Sequence, residues 1–544
     1  MLPERGSFVF GSPAMQPQRS VGHRMVLAAW FLLIAVSCGS VRATDFFLTI
    51  GGGYRPEGNQ ASLEANVLFY QRIIKDKNPG PRVHDLFFAD GDDPVKDLQI
   101  EAPAPKRPTK PLTELLTTLH RRGPPVGRGG WYAYRNHEVP NVAGPNDPKL
   151  VQKAFERIAD TARKGDRLIV YVTAHGDEAE EDDPYNTSIT GWNDTEIRMH
   201  ELTEWLDKLS PDVPVVMVMA QCYCGGFSQT IYRDADPEQG LAPAVRVGFF
   251  AQQHNLPAAG CRPDIENDAE YSSYFWGAMI GQTRNGKAMP GCDADGNGVV
   301  SFEEAHAQAI IAAETIVVPL KASDMLLRQF SEIPVYTLAA DRARQFSENG
   351  DSASSPDEEK PAVDPKLNRM QGTIESLLVG ESPSAKRTVT ALCDQLGLKG
   401  SDDVAKVLTA LQAQRRLAAA GGRSGPRPRS GRRELLAAIS DKWPDLGDPE
   451  KWREAPELKE GDQAALLEEI KQLPEYETYE QRRVDREKQE ADAEQSELKL
   501  VKYRRLVDTL ESIVLARNLP MAASPEIQQG FAKMKQLERT SLKP

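Results

Sequence analysis

Short apolar runs alternate with helix-patterned segments along the chain from Asp45 onward. The apolar runs predict β-strands at 46–53, 85–93, 167–174, 213–220 and 244–253. The segments between them predict helices at 61–74, 148–166, 198–209 and 270–281. Because the runs are short and continuously apolar, we expect both faces of the sheet to be covered. The alternation therefore predicts an α/β domain in which a mostly parallel sheet carries helices on both sides.

Two of these predicted strands end in reactive side chains. The run "RLIVYVTAHG" (167–176) ends in His175 and Gly176, and "VVMVMAQC" (215–222) ends in Cys222. The carboxyl ends of parallel strands meet at one edge of a sheet, where functional groups collect. An imidazole there can take a thiol proton so that the thiolate attacks a carbonyl, and an open N–H at Gly176 can hold the oxyanion. The simpler alternative is two ordinary strand ends with a small buried thiol.

The two blocks resemble those of clan CD cysteine peptidases, the caspase and legumain group, which read apolar-His-Gly and apolar-(Glu or Gln)-Ala-Cys. Here 170–176 reads VYVTAHG and 216–222 reads VMVMAQC, with Ala and Gln in reversed order. Segments 58–74 and 258–279 resemble the first legumain helix and the legumain segment behind the specificity pocket. The resemblance covers Asp45 to about Gln345.

The resemblance implies a three-layer α/β/α caspase-like sandwich and a cysteine-type endopeptidase. In that case Cys222 is the nucleophile and His175 the base, and the N–H groups of Gly176 and Cys222 form the oxyanion hole. A protein or peptide would be cleaved through a thioester acyl-enzyme. Two alternatives remain at this point: a catalytically silent calcium-binding structural or adaptor protein that keeps the fold, and a transpeptidase.

This sequence also departs from the legumain pattern. The asparagine that supports the legumain histidine aligns with Gly52, and the pocket arginine aligns with Gly58, three residues from Arg55. Cys224 occupies the position of a legumain serine. We therefore expect a Cys-His dyad and carry over no preference for asparagine. The acidic segment 177–183 predicts either attraction of basic substrates or a solvated loop.

The segment "DADGNGVVSFEE" (293–304) fits the twelve-residue EF-hand calcium loop. Calcium requires six to eight oxygen ligands, and this spacing supplies them from one loop. The predicted ligands are Asp293, Asp295, Asn297, the carbonyl of Val299, Ser301 and Glu304. A single loop predicts a structural Ca²⁺ site that supports the segment after helix 270–281. An Asx-rich turn without metal is the alternative.

Four regions follow from composition along the chain. Residues 1–43 contain a short apolar run and a small-residue cleavage site, which predict an export signal; an uncleaved anchor, or a lipoprotein signal with a lipid on Cys38, are alternatives. Residues 44–345 form the predicted peptidase domain. Residues 346–366 predict a disordered acidic linker that is a candidate cleavage site. Residues 367–544 predict a helical region that packs, self-associates or binds a partner.

Charge and cysteine content limit the cellular setting. The net charge of −13 argues against nucleic acid as a partner. Six cysteines are few for an exported chain of 544 residues, so a disulfide framework is not expected to hold the fold. Together with the predicted signal, these features indicate an extracytoplasmic protein with no membrane span after signal cleavage and with a free thiol.

Overall fold

The computed structural model describes residues 44–78, 83–102, 111–120, 131–260, 270–334, 366–422, 431–452, 454–459 and 462–543. The described residues from Thr44 onward belong to one compact unit. The predicted export signal, including Cys38, and almost all of the predicted linker lie outside the described residues, so both stay predictions. Within the described ranges, no helix combines the length and apolar character needed to cross a bilayer.

Ten strands occur in the described chain. They are β1 (Asp45–Gly52), β2 (Val83–Phe88), β3 (Leu98–Ala102), β4 (Trp131–Arg135), β5 (Arg167–Ala174), β6 (Ser188–Gly191), β7 (Thr195–Arg198), β8 (Val215–Met219), β9 (Arg246–Phe250) and β10 (Leu320–Lys321). Six of them form the central sheet in the order β10-β9-β8-β5-β1-β2. All neighbours in this sheet are parallel except β10, which pairs antiparallel with β9.

The helices all come after β1, some between the strands and the others after β10. They are α1 (Ala61–Lys77), α2 (Pro111–His120), α3 (Pro148–Thr161), α4 (Met199–Asp207), α5 (Tyr271–Ala278), α6 (Phe302–Ala312), α7 (Ala322–Phe330), α8 (Ile374–Leu377), α9 (Pro383–Leu396), α10 (Val404–Gly422), α11 (Arg432–Lys442), α12 (Pro456–Lys459), α13 (Gln463–Lys471), α14 (Pro474–Ala522) and α15 (Pro525–Glu538). The α/β class, the mostly parallel sheet and the helical C-terminal region are therefore confirmed.

The continuously apolar strands lie in the middle of the sheet, as their sequences predict. Every residue of β1 and β5 is buried, so both faces of the sheet are covered. Helix α3 shows how the sequence sets a boundary: the Asp147 side chain accepts hydrogen bonds from the N–H groups of Lys149 and Leu150, and Pro148 occupies the first turn. This helix returns the chain to the start of β5, whose far end carries His175.

One part of the fold differs from the sequence-based expectation. Residues 101–146 are rich in Pro, Gly and Arg, a composition that predicts long surface loops, but the described part of this stretch contains α2 and β4, and β4 pairs with β3 in a separate two-stranded sheet. Helix α2 buries Leu112, Leu116 and Leu119 against the C-terminal helices α11 and α13. The helix was not predicted because Pro and Gly are frequent around it. In addition, its apolar partners lie more than 300 residues away in the sequence, so no local pattern reveals them.

The C-terminal helices share their core with the sheet domain. Residues of α14 and α15, including Leu515, Leu519 and Met534, belong to the same hydrophobic cluster as the central strands. Helix α14 is largely solvent-exposed in its charged first half and buries Val501, Leu506 and Leu510 in its second half, where apolar residues recur at helical spacing. The end of α14 and α15 thus contribute to the core of the sheet domain, while α8, α9, α10 and the middle of α14 form a second hydrophobic cluster.

The end of the chain closes the amino-terminal edge of the sheet. Arg167 and Asp45 form a buried ion pair at the starts of β5 and β1, with 2.7 Å between Nη2 and Oδ2. Arg167 also donates to Thr540 Oγ1 and to the Ser541 carbonyl, and the Lys543 N–H donates to Asp45. The opposite, carboxyl-terminal edge carries His175 and Cys222.

Candidate active site

Strands β5 and β8 are neighbours and bring the two predicted catalytic residues to one edge of the sheet. Their parallel register pairs Val172 with Met219, and the Ala220 N–H donates to the Val172 carbonyl over 3.0 Å. His175 and Cys222 each lie three positions after this last pair. The two strands therefore end side by side with the imidazole and the thiol at corresponding positions.

Gly176 allows the two strand ends to approach closely. A Cβ atom at this position would lie 2.5 Å from the Cys222 carbonyl oxygen and 2.7 Å from the Ser188 carbonyl oxygen. Any side chain would push the two segments apart, since neither neighbour is a flexible side-chain end. The glycine after the histidine is thus required for the contact between the His175 and Cys222 segments.

The imidazole of His175 is held by the loop that follows β1. Its Nε2 lies 2.8 Å from the Gly58 carbonyl oxygen and 3.0 Å from Gln60 Oε1. The ring of Tyr54 packs edge-on against the imidazole, with 5.3 Å between centroids. Burial lowers the pKa of His175, while the bond to Gly58 and the charge of Asp177 oppose the shift. The imidazole is therefore neutral at pH 7.

The two acceptors define the tautomer of His175. A carbonyl oxygen can only accept, so Nε2 carries the proton. The Gln60 amide is oriented by its own Nε2, which donates to the Glu57 carbonyl over 3.2 Å, so its oxygen faces the histidine. In the neutral ring, Nδ1 then keeps its lone pair and is the basic atom. This is the protonation state that a general base requires.

Cys222 presents a free, half-buried thiol. Its Sγ accepts a hydrogen bond from the Ala258 N–H over 3.2 Å. The following residue, Tyr223, has a φ of 57°, a left-handed conformation that turns the chain sharply after the cysteine. Burial raises the pKa of Cys222, the Ala258 N–H lowers it, and the charge of Asp177 raises it further. The thiol is therefore protonated at neutral pH until a base takes its proton.

The neighbouring thiol of Cys224 has different surroundings. Cys224 is fully buried, and its Sγ accepts from the Gln252 N–H over 3.3 Å. Burial raises its pKa to about 12. Cys292 and Cys393 are also free and buried, while Cys261 lies outside the described residues. Among the described cysteines, Cys222 is the one with an accessible sulfur.

Two N–H groups at the strand ends have no acceptor. Neither Gly176 nor Cys222 uses its backbone N–H in a hydrogen bond to any described residue. Gln221, between Ala220 and Cys222, turns its side chain into the protein and is completely buried.

The residues that the resemblance aligns with legumain functional positions have other roles here. Gly52 has a φ of +86°, and a Cβ there would lie 2.6 Å from the Ala89 nitrogen, so no asparagine fits. Gly58 contacts His175 through its carbonyl. Arg55 forms an ion pair with Asp194 at the surface. The side chain that supports the histidine is instead that of Gln60. The sequence did not reveal this role, because Gln60 immediately precedes α1, where a polar residue is usually explained as a helix cap.

The acidic segment after Gly176 is a surface loop. Asp177 accepts from Thr190 Oγ1 over 2.9 Å, and Asp183 lies 2.8 Å from His200 Nε2. Glu178, Glu180, Glu181 and Asp182 are exposed. Electrostatic attraction of basic substrates by this loop stays a prediction.

The predicted calcium loop has the compact geometry that its sequence indicated. Carboxylate oxygens of Asp293, Asp295 and Glu304 lie within 4.8 Å of one another. The carboxylate of Asp293 accepts from the N–H groups of Gly296, Asn297 and Gly298, which curls the loop around it. Glu304 accepts from Ser301 at the start of α6, forming a capping box. These oxygens fit a hard cation, and the same contacts also cap α6 without one.

The protonated thiol predicts a particular pH dependence of alkylation. Because the thiolate is the reactive form and burial raises its pKa, the rate of Cys222 modification by iodoacetamide should keep rising above pH ~8.5, the usual thiol pKa. Mass spectrometry of the peptide containing Cys222 measures this rate. A plateau below pH 8 would instead indicate a thiolate–imidazolium pair in the free protein.

Comparison with known proteins adds little to this geometry. No family model matches the chain, and no curated protein matches it. Among solved structures, the chain is similar to protein GSU0716 from Geobacter sulfurreducens, with 14% sequence identity across 48% of this chain and 88% of that one. The TM-score of 0.27 is too low for this likeness to support an argument about fold or activity.

Proposed function

We propose that this protein is an exported cysteine endopeptidase with a caspase/legumain-like domain, in which Cys222 is the nucleophile and His175 the general base. The observation that carries the proposal is the placement of a free thiol and a neutral imidazole at the ends of adjacent parallel strands, with Gly176 in backbone contact with Cys222. The proton on Nε2 leaves Nδ1 as the basic atom of the pair.

The mechanism follows from these groups. His175 Nδ1 takes the Cys222 proton as Sγ attacks the substrate carbonyl carbon, and the Gly176 and Cys222 N–H groups bind the oxyanion. The protonated imidazole then gives its proton to the leaving amine, and a thioester remains on Cys222. A water molecule, deprotonated by His175, attacks the thioester and releases the carboxylic acid and the free thiol.

A covalent probe tests the proposed nucleophile. An acyloxymethyl ketone with a peptide recognition element should label the wild-type protein once, at Cys222, and intact-protein mass spectrometry measures the added mass. Cys222→Ala should abolish labelling, His175→Ala should slow it at least a hundredfold, and Cys224→Ser should leave it unchanged. Equal labelling of wild type and His175→Ala would favour an unassisted surface thiol and a catalytically silent protein.

We also propose that Ca²⁺ binds the 293–304 loop and stabilises the segment between α5 and α6. Asp293, Asp295, Asn297, Ser301 and Glu304 would supply side-chain oxygens, and Val299 its carbonyl. Bound calcium would offset two of the three negative charges of the clustered carboxylates.

Calcium binding predicts a stabilised protein. At a Ca²⁺ concentration of one hundred times Kd, the free energy of unfolding should rise by about 2.7 kcal/mol. Differential scanning calorimetry with and without Ca²⁺ measures the effect, after chelation of carried-over metal. Asp295→Asn should lose most of the response, and Asp212→Asn, a surface substitution outside the loop, should retain it. Identical melting of the wild type with calcium and with chelator would refute the site.

A further inference from the structure

A large cavity lies between the sheet domain and the C-terminal helices. Its volume is about 890 Å³, and neither His175 nor Cys222 lines it. Gly225, three residues after Cys222, lines one side, and the second half of α14 lines another. A cavity of this size falls in the range of pockets that hold small organic molecules, ~300–1,000 Å³. Because neither His175 nor Cys222 lines it, the cavity is separate from the proposed catalytic cleft.

Several buried polar groups line the cavity without a protein partner. Tyr232 OH, Ser323 Oγ, His306 Nε2 and Gln229 Oε1 have no hydrogen-bond partner among the described residues. Tyr232, Ser323 and His306 are each no more than 3% exposed. None of these four atoms is itself exposed at the cavity surface, so they do not identify what the cavity holds.

The charges around the cavity favour an anion. Five of the seven acidic side chains that line it lie within 4.0 Å of a Lys or Arg: Glu303, Glu381, Asp324, Asp508 and Glu511. Asp183 pairs with His200, and Asp236 has no Lys or Arg partner in the described chain. Arg504, in contrast, has no carboxylate within ion-pair distance in the described chain and donates one hydrogen bond, to Gln253 Oε1 over 3.2 Å.

A second guanidinium strengthens the positive potential at this wall. Burial lowers the pKa of Arg504, and the positive charge of Arg415 lowers it further, against the opposing effect of Asp508. Arg505, next in sequence, also lines the cavity without a carboxylate partner among the described residues, because its donors all go to backbone carbonyls. A cation that is buried beside like charges is stabilised by an incoming anion.

The remaining wall is apolar. Ile310, Leu327, Leu411, Val507 and Ile513 line it and are buried. A cavity filled with water alone would place much of that water against these side chains, where it lacks the two to four polar partners that ordered water requires. An apolar wall of this kind suits the hydrocarbon part of a ligand better than it suits a cluster of water molecules.

We propose that this cavity binds an organic anion. Its carboxylate or phosphate head lies at Arg504, and its apolar body packs against the wall that includes Leu327 and Val507. The head group accepts hydrogen bonds from the guanidinium. The site is independent of the proposed peptidase chemistry, since no catalytic group contributes to it.

Isothermal titration calorimetry of the full chain with three eight-carbon probes tests the proposal. Octanoate and octyl phosphate should each bind saturably at one site and at least tenfold more tightly than 1-octanol, which has the same tail without the charge. The tighter anion identifies the preferred head group. Arg504→Gln should weaken binding of both anions by about 10–100-fold through loss of the charge-assisted hydrogen bonds and leave octanol unchanged. Arg483→Gln, an exposed arginine on the same helix, serves as the control and should have no effect.

Three results would overturn the proposal. The first is absence of saturable binding by either anion, which means that the cavity holds water only. The second is equal affinity for octanol and the anions. The third is anion binding that Arg504→Gln leaves unchanged. Comparison of the anions with octanol uses the wild-type chain, so the test remains decisive even where the substitution disturbs folding.

Discussion

His175→Ala is expected to lower kcat/KM for peptide hydrolysis by about 10³–10⁴-fold. Burial keeps the Cys222 thiol protonated at neutral pH, so its attack requires a base. The neutral imidazole of His175 can take that proton. Without the imidazole, the small fraction of thiolate attacks unaided, and the leaving amine receives no proton from the enzyme. A fluorogenic peptide library screened with wild-type protein supplies the substrate, and initial rates measure the loss.

His200→Ala is the matched control for this experiment. His200 is half-exposed and pairs with Asp183 at the far end of the acidic loop. Its loss should change kcat/KM by less than about threefold. The surface ion pair that the substitution removes contributes little to stability, so the folded structure around the proposed site should remain the same. If His175→Ala retains more than a tenth of wild-type activity, another group acts as the base and the proposed dyad is wrong.

Arg505→Met is expected to lower the free energy of unfolding by about 4 kcal/mol. The guanidinium of Arg505 is 2% exposed and donates to the carbonyls of Ile310, Ala313, Thr315 and Val317 over 2.7–3.0 Å. Methionine fills most of the volume but leaves four buried carbonyls without these donors. These carbonyls lie at and beyond the end of α6, so the loss weakens the contact between α14 and the segment that follows α6.

Urea unfolding measures this effect as a lower midpoint with an unchanged slope. Arg483→Met is the control, because Arg483 lies on the exposed half of α14 and its ion-pair partners among the described residues are Glu480 and Glu487. We expect its midpoint to change by the equivalent of less than about 0.5 kcal/mol. Similar midpoints for Arg505→Met and the wild type would show that water replaces the lost donors.

Local patterns predicted the sheet domain well. Strands β1, β5, β8 and β9 were recognised as buried because their apolar residues are consecutive, and α1, α3, α4 and α5 were recognised from their helical spacing. The edge strand β10 was missed because two residues carry no periodic pattern. Its pairing with β9 depends on a partner about 70 positions earlier, which no local window contains.

The candidate site was predictable only in part. His175, Gly176 and Cys222 could be found because strand ends are recognisable and parallel strands present their carboxyl ends together. Gln60 and the Gly58 carbonyl could not, because their role depends on how the loop after β1 folds over the imidazole. The predicted disordered linker and export signal stay predictions.

The sequence alone determined which strands are buried, which two end in a thiol and an imidazole, and where a cation-binding loop could form, because each of these depends on residues that are close together in the chain. Only the tertiary structure decided that Gln60 and Gly58 fix the histidine tautomer, that the C-terminal helices share the core of the sheet domain, and that Arg504 faces a cavity without a carboxylate partner. Those properties depend on contacts between segments tens to hundreds of residues apart, and such contacts exist only once the chain has packed.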